Sequence, residues 1–226
     1  MKKHLRLKMM AVFTVVLCLS ISTAWGAKTG AILYVDASAT GSGYGTSWAD
    51  AFTDLQAALA AAASGDEIWV AAGTYTPTST SDRTVSFVLK SGVALYGGFV
   101  GGEKALRERS LDPSLTILSG DIGTEGDDTD NSFHVVYADG VTGAVLDGFT
   151  VTLGHGDGGS KRTDYQGGGI HTRNSAFTVS NCIFSNNKVA LKVPYRNGAG
   201  GGMYNKDSAL TVTNCIFSEN QAGNAA

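Results

Sequence analysis

The chain has 226 residues, the size of one ordinary domain, with 30 Gly, 3 Pro, 16% charged and 9% aromatic residues. That is too apolar for a disordered chain and too glycine-rich for a helical bundle, and it suits many short strands joined by turns. The formal net charge is −3, but four of the seventeen basic residues (Lys2, Lys3, Arg6, Lys8) lie in the first 26 positions, which hold no acid. The rest of the chain therefore carries thirteen basic against twenty acidic residues, a surface that argues against nucleic acid and anionic membranes as partners.

The start reads as a secretory signal peptide over residues 1–26. Met1 to Lys8 is basic, Met9 to Ser22 is apolar, and Ala24-Trp25-Gly26 is a small-x-small cleavage site before Ala27. The apolar run falls short of the roughly 20 residues a membrane span needs, so no transmembrane helix is expected in the mature chain. Leu17 is too large for the residue ahead of a lipidated cysteine, so Cys18 is read as part of the apolar run. Export then leaves two cysteines, Cys182 and Cys215, too few for a disulfide scaffold.

Residues 27–66 read as an N-terminal strand and a helix. Ala31 to Val35 is the strand, and a Gly/Ser-rich turn leads through Trp48 to Asp50. Ala51 to Ala63 is the one helix the pattern supports: alanine-rich, with Phe52, Leu55 and Leu59 on a common face, Asp50 as N-cap and Ser64-Gly65-Asp66 as stop. Trp48 is expected to pack beneath it. Over 67–226 short apolar runs alternate with turns: Ile68 to Ala71, Val85 to Leu89, Val93 to Tyr96, Leu115 to Leu118, His134 to Tyr137, Ala144 to Leu146 and Phe149 to Leu153. His134, inside an apolar run, is expected to pack rather than to bind.

Near the end the chain repeats itself. Ser175 to Asn187 (SAFTVSNCIFSNN) and Ser208 to Asn220 (SALTVTNCIFSEN) agree at ten of thirteen positions, each preceded by a glycine triplet (Gly167 to Gly169, Gly200 to Gly202), at a constant offset of 33. A fixed period of this size marks stacked structural units. Alternation turns Phe177 and Val179 inward; Asn181, tolerant of left-handed backbone, makes a bend; Cys182 and Phe184 then point inward again. One unit would wrap one coil, stacking Phe184 on Phe217, Val179 on Val212, Cys182 on Cys215 and Asn181 on Asn214. The cysteines would lie about 4.8 Å apart at Cα, within disulfide reach, but stacked side chains run parallel, so two small buried groups are expected.

The two units, 167–187 and 200–220, share GGG[IM] followed by F-x-x-N (Phe184 to Asn187, Phe217 to Asn220). On these residues the chain resembles the repeat of the chlamydial polymorphic outer-membrane proteins and their bacterial relatives. The upstream stretches YVDASATGSGYGTSWADAF, GDEIWVAAGTYTPT, LYGGFVGGE, LSGDIGTEGDDTDNSFHVV and VLDGFTVTLGHG are similar to the N-terminal parts of such exported proteins. The resemblance implies an all-β fold, a right-handed parallel β-helix of the pectin-lyase-like superfamily. The helix would cap its N-terminal end, and the uncapped far end would mark a fragment continued by a downstream domain. It implies export to the outer membrane, cell surface or medium, and it is weak for activity, because that superfamily holds lyases, hydrolases, adhesins and passengers.

The 33-residue period exceeds a three-strand coil, and the excess falls in His155 to Gln166 and Lys188 to Ala199, both just ahead of a glycine triplet. These loops would flank the outward face of the strands GGGIHTRN and GGGMYNKD, where His171 stacks with Tyr204 and Arg173 with Lys206. Tyr165, Arg162, Tyr195 and Arg196 come from the loops. Aromatic rings beside cations suit sugar rings and acidic polysaccharides, so the ligand-binding candidates are Tyr165, His171, Arg173, Tyr195, Tyr204 and Lys206. The bland alternative is an ordinary solvated face. No pair of acids recurs at the repeat offset, as a glycosidase or calcium-dependent lyase on this face would need, and no catalytic residue is assigned. No cofactor is expected. Asp127, Asp128 and Asp130 in the acidic loop Asp121 to Asn131 are candidates for calcium, though that loop lacks the EF-hand glycine and terminal glutamate. The expected function is a non-catalytic, adhesin-like display of loops for a polysaccharide or cell-surface glycan. The alternative is a polysaccharide lyase or hydrolase whose catalytic coils lie beyond residue 226.

Overall fold

The computed structural model describes residues 30–158, 162–190 and 198–223. Residues 1–26, expected to be a signal peptide, lie outside the described residues, as do Tyr195 and Arg196. All strand pairing in the named sheets is parallel and joins successive coils of a β-solenoid of about five turns. Each coil runs over up to four faces. The first holds six strands, Ile32–Val35, Glu67–Ala71, Ala94–Phe99, Thr142–Asp147, Ala176–Ser180 and Thr211–Thr213. The second holds Gly73–Tyr75, Thr116–Ser119, Thr150–Thr152, Ile183–Ser185 and Ile216–Ser218. The third has three short strands, His155–Gly156, Lys188–Ala190 and Gln221–Gly223. The fourth has four, Phe87–Val88, Val136–Asp139, Ile170–Arg173 and Met203–Lys206.

The expected register holds. Val179 pairs with Val212, and Phe184 with Phe217, their rings stacked 4.9 Å apart at 8°. Asn214 donates its side-chain amide to Asn181 at 2.6 Å. Cys182 and Cys215 are free, and Cys182 is buried. Corners between faces are left-handed at equivalent positions of successive coils: Gly148, Asn181 and Asn214; Leu153, Asn186 and Glu219; Gly140, Asn174 and Asp207. Glycine and asparagine dominate these corners because a Cβ crowds the carbonyl in that conformation. The third face is a correction to the three-strand coil read from sequence. After the corner at Leu153 or Asn186 the chain pairs once more before it loops out.

The coils enclose a single apolar column that runs from Val35, Ile68 and Val70 through Leu95, Leu118, Leu146 and Phe149 to Val179 and Phe184. One end is covered by α1 (Leu55–Ala61), which buries Leu55, Ala58 and Leu59 against that column. The helix is shorter than expected. Its N-cap is Asp54, whose carboxylate accepts the Gln56 N–H at 2.9 Å, whereas Asp50 accepts the Ser42 N–H at 3.0 Å and is held in the preceding turn. Phe52 is not helical. It bridges Val35 in parallel and exchanges backbone hydrogen bonds with Tyr34 and Asp36 at 2.9 Å, closing the open edge of the first strand. Lys90 donates to the carbonyls of Ala60 and Ala62 at the helix end, as a cation there should.

Trp48 also departs from expectation. It packs outside the first face rather than under the helix, edge-on to Tyr34 at 4.8 Å and tilted on Phe99 at 5.4 Å, with Nε1 donating to Glu103 O at 3.0 Å. Trp69 stacks on Phe99 at 4.6 Å. Ile68 and Val70 already fill the inner positions of their strand, so Trp69 must face out, and these rings cover one another instead of the column.

Candidate functional site

On the fourth face, alternation sends Val136, Ala138, Ile170 and Thr172 inward, all of them buried. Tyr137, His171 and Tyr204 then face out in one in-register row, and Asp139, Arg173 and Lys206 in the next. The first row is a stack of rings: Tyr137 to His171 at 5.3 Å and 2°, His171 to Tyr204 at 5.3 Å and 19°.

The six residues expected on an open surface divide. Lys206 is exposed, and Arg173 and Tyr204 are half-buried. His171, at 0% exposure, and Tyr165, at 4%, are buried, which corrects the reading of both as surface groups. Tyr195 lies outside the described residues. The His171 ring lies among those of Tyr137, Tyr204 and His134, and the segment just ahead of its strand turns against its backbone. Residues Arg162–Tyr165 form a short 3-10 turn, Gln166 bridges Ala199, and Gly167 then turns at φ +71° directly against His171. A Cβ on Gly167 would sit 2.9 Å from the His171 Cα, so the first glycine of the triplet is what allows this close approach.

Beneath the same segment lies His134, buried as expected, its ring 5.0 Å from that of His171. His134 Nδ1 is within hydrogen-bonding distance of Gly167 O at 3.0 Å, while neither ring nitrogen of His171 has a hydrogen-bond partner among the described residues. Burial holds both imidazoles neutral. It pushes His171 down to about 4, with His134 and then Arg173 adding to the effect, and it pushes His134 down against the support of the Gly167 carbonyl.

The acidic loop spends its carboxylates on itself and on its neighbours. Asp127 accepts the Thr129 N–H at 2.9 Å, Asp130 accepts the Thr124 N–H at 2.8 Å, and Asp128 pairs with Lys188 Nζ at 2.7 Å. That lysine hydrogen bond holds Asp128 below the usual carboxylate range. Among the described residues no three His, Cys, Asp or Glu side chains converge as a metal site.

Two ion pairs escape a reading of the sequence. Arg83 binds Asp157, donates to Asn131 O at 2.6 Å and His155 O at 2.8 Å, and lies 4.4 Å over the Phe133 ring. Arg109 binds Asp147, which also accepts from Ser180 Oγ and from Asn181 Nδ2 at 2.8 Å. Neither arginine stands in a motif, and each partner is distant in sequence, so only the coil path brings them together. Each guanidinium and its carboxylate tie remote parts of the chain together as a strut.

The F-x-x-N and glycine-triplet motifs prove to be one structural device. Asn187, fully buried, accepts the Gly154 N–H at 3.0 Å and donates to Val151 O at 3.0 Å, while its side chain lies where a Cβ on Gly169 would come within 2.9 Å. Asn220 and Gly202 repeat the arrangement one coil later. The fold thus defines a parallel β-solenoid with an outward row of rings and cations on one face. The chain matches no family model, no curated protein and no solved structure.

Proposed function

We propose that this chain is the coil-bearing part of an exported, non-catalytic surface protein, adhesin-like, that binds acidic polysaccharide on its fourth face. The resemblance of GGG[IM]…F-x-x-N to the polymorphic outer-membrane protein repeat supports export and display at the cell surface. The observation that carries the binding reading is the in-register pair Arg173 and Lys206 beside the half-buried ring of Tyr204. Two cations spaced by the sheet repeat suit a polymer with a regular row of carboxylates, and the tyrosine offers a face for a sugar ring.

Titration with a uronate polymer tests this. Arg173→Ala and Lys206→Ala are each expected to weaken binding by about tenfold or more, as loss of a charge-assisted contact does, and added salt should weaken the wild type in the same direction. Binding unchanged in Arg173→Ala, Lys206→Ala and Tyr204→Ala would place the ligand elsewhere. Release of unsaturated products from the polymer would replace the binding reading with a lyase.

A further inference from the structure

The two cysteines beyond the first 26 residues stand at one phase of successive coils, on the corner between the first and second faces. Ser180 pairs with Thr213 just ahead of them and Ile183 with Ile216 just after. Cys182 therefore lies beside Cys215 at about the sheet spacing of 4.8 Å between Cα atoms, inside the range of about 4.4–6.8 Å that a disulfide spans. The backbone holds the two corners together: Asn181 and Asn214 are both left-handed, Asn214 donates its amide to Asn181, and the Ile216 N–H donates to Cys182 O at 2.9 Å.

Space does not require a cysteine here. In the coil before, Thr150 pairs with Ile183, so Phe149 takes the place of Cys182, and it is fully buried. A corner that accepts phenylalanine in one coil and carries thiols in the next two is not limited to a small side chain.

The two thiols differ in setting. Cys182 is 1% exposed, with Sγ 3.1 Å from Ser180 O and 3.7 Å from Leu146 O of the coil before. Cys215 is half-buried against the apolar column, and its Sγ reaches the coil of Cys182, 3.7 Å from Val179 O. Hydrogen bonding between the two side chains pulls Cys215 down to about 6, and the same contact, with burial, pushes Cys182 up. A half-buried thiol that ionises readily, next to a buried one, is the arrangement of an attacking and a resolving cysteine. As thiols the two side chains run parallel, so closure takes rotation of one of them across the corner, and Cys215 is the one with solvent on one side.

We propose that Cys182 and Cys215 are a redox-active dithiol that closes reversibly into a disulfide between successive coils, with a small-molecule disulfide of the glutathione type as oxidant. The Cys215 thiolate attacks one sulfur of the oxidant and expels one glutathione thiolate, leaving a mixed disulfide on Cys215. Cys182 then gives up its proton and attacks the Cys215 sulfur, and the second glutathione leaves as thiolate. The protein dithiol loses two electrons and two protons, and the oxidant takes up both as two thiols. The bond closes one circuit of the 33-residue period, a circuit that contains Met203–Lys206. It rests on the stacking of the coils and holds whatever the fourth face binds.

The test equilibrates the full chain with mixtures of reduced and oxidised glutathione, traps the remaining thiols by alkylation and maps linked peptides by mass spectrometry. The folded chain is expected to join the Cys182 and Cys215 peptides with an equilibrium constant about tenfold or more above that of the same chain unfolded in urea, and excess reduced glutathione should return both thiols. Cys182→Ser should instead retain glutathione on Cys215, while Cys215→Ser should leave the buried Cys182 unmodified. Where a variant does not fold, the wild-type peptide map decides alone. Two thiols that persist in the folded wild type, an equilibrium constant no greater than in urea, or bonds only to Cys18 or to a second chain would overturn the proposal.

Discussion

Asn187→Leu is expected to destabilise the solenoid by about 2–5 kcal/mol, measured by chemical denaturation, although leucine is close to asparagine in size. Asn187 has no exposed surface, and its side-chain amide does three jobs. It accepts the Gly154 N–H, donates to Val151 O, and donates to Asn220 Oδ1 at 3.0 Å. Leucine would leave a backbone donor and a backbone acceptor buried at a corner with no water to replace the amide, at about 1–3 kcal/mol each. Asn220 makes the corresponding bond to Phe184 O at 2.7 Å and accepts the Asn187 N–H at 3.1 Å. A loss under about 1 kcal/mol in Asn187→Leu would show that the amide row does not carry the corner.

Arg109→Met should be comparably severe, about 3–5 kcal/mol, because it strands the Asp147 carboxylate. The arginine side chain is 7% exposed and that of the aspartate 11%, so water cannot screen the loss. Arg109 also donates to Gly97 O at 2.9 Å and lies over the Tyr96 ring at 5.4 Å, which ties the loop after the third strand of the first face to the coil below. Ser180 and Asn181 still donate to Asp147 in the variant, but neutral donors do not balance a buried charge. Adding Asp147→Asn should restore most of the lost stability, since the site then holds no unpaired ion. A double variant no better than Arg109→Met would mean that the arginine acts through packing and the Gly97 bond instead.

These two sites differ in how legible they are in the chain. Asn187 stands in a visible repeat, and the identity of the two copies already marks its row as a packing requirement. The glycine triplet, legible as a motif, gains its reason only when Asn187 is seen against Gly169 and Gly167 against His171. Arg109 and Asp147 carry no mark at all. They are 38 residues apart and meet because neighbouring coils do. The outward row His171–Tyr204 and its neighbour Arg173–Lys206 came directly from the 33-residue offset, but the exposure assigned to His171 and Tyr165 did not survive.

Period, register and the inward set were all present in the order of residues, because each is a local pattern repeated at a fixed distance. Identical residues at one phase must stack when coils stack. The third face, the start of the helix, the place of Trp48 and the burial of His171 were settled by tertiary contacts alone. Each depends on a competitor from a remote part of the chain: an open strand edge that captures Phe52, an inner position already filled by Ile68 and Val70, or rings of other coils that close around an imidazole. The outcome of such competition rests on which partner the path of the coil brings close, and no local pattern records that path.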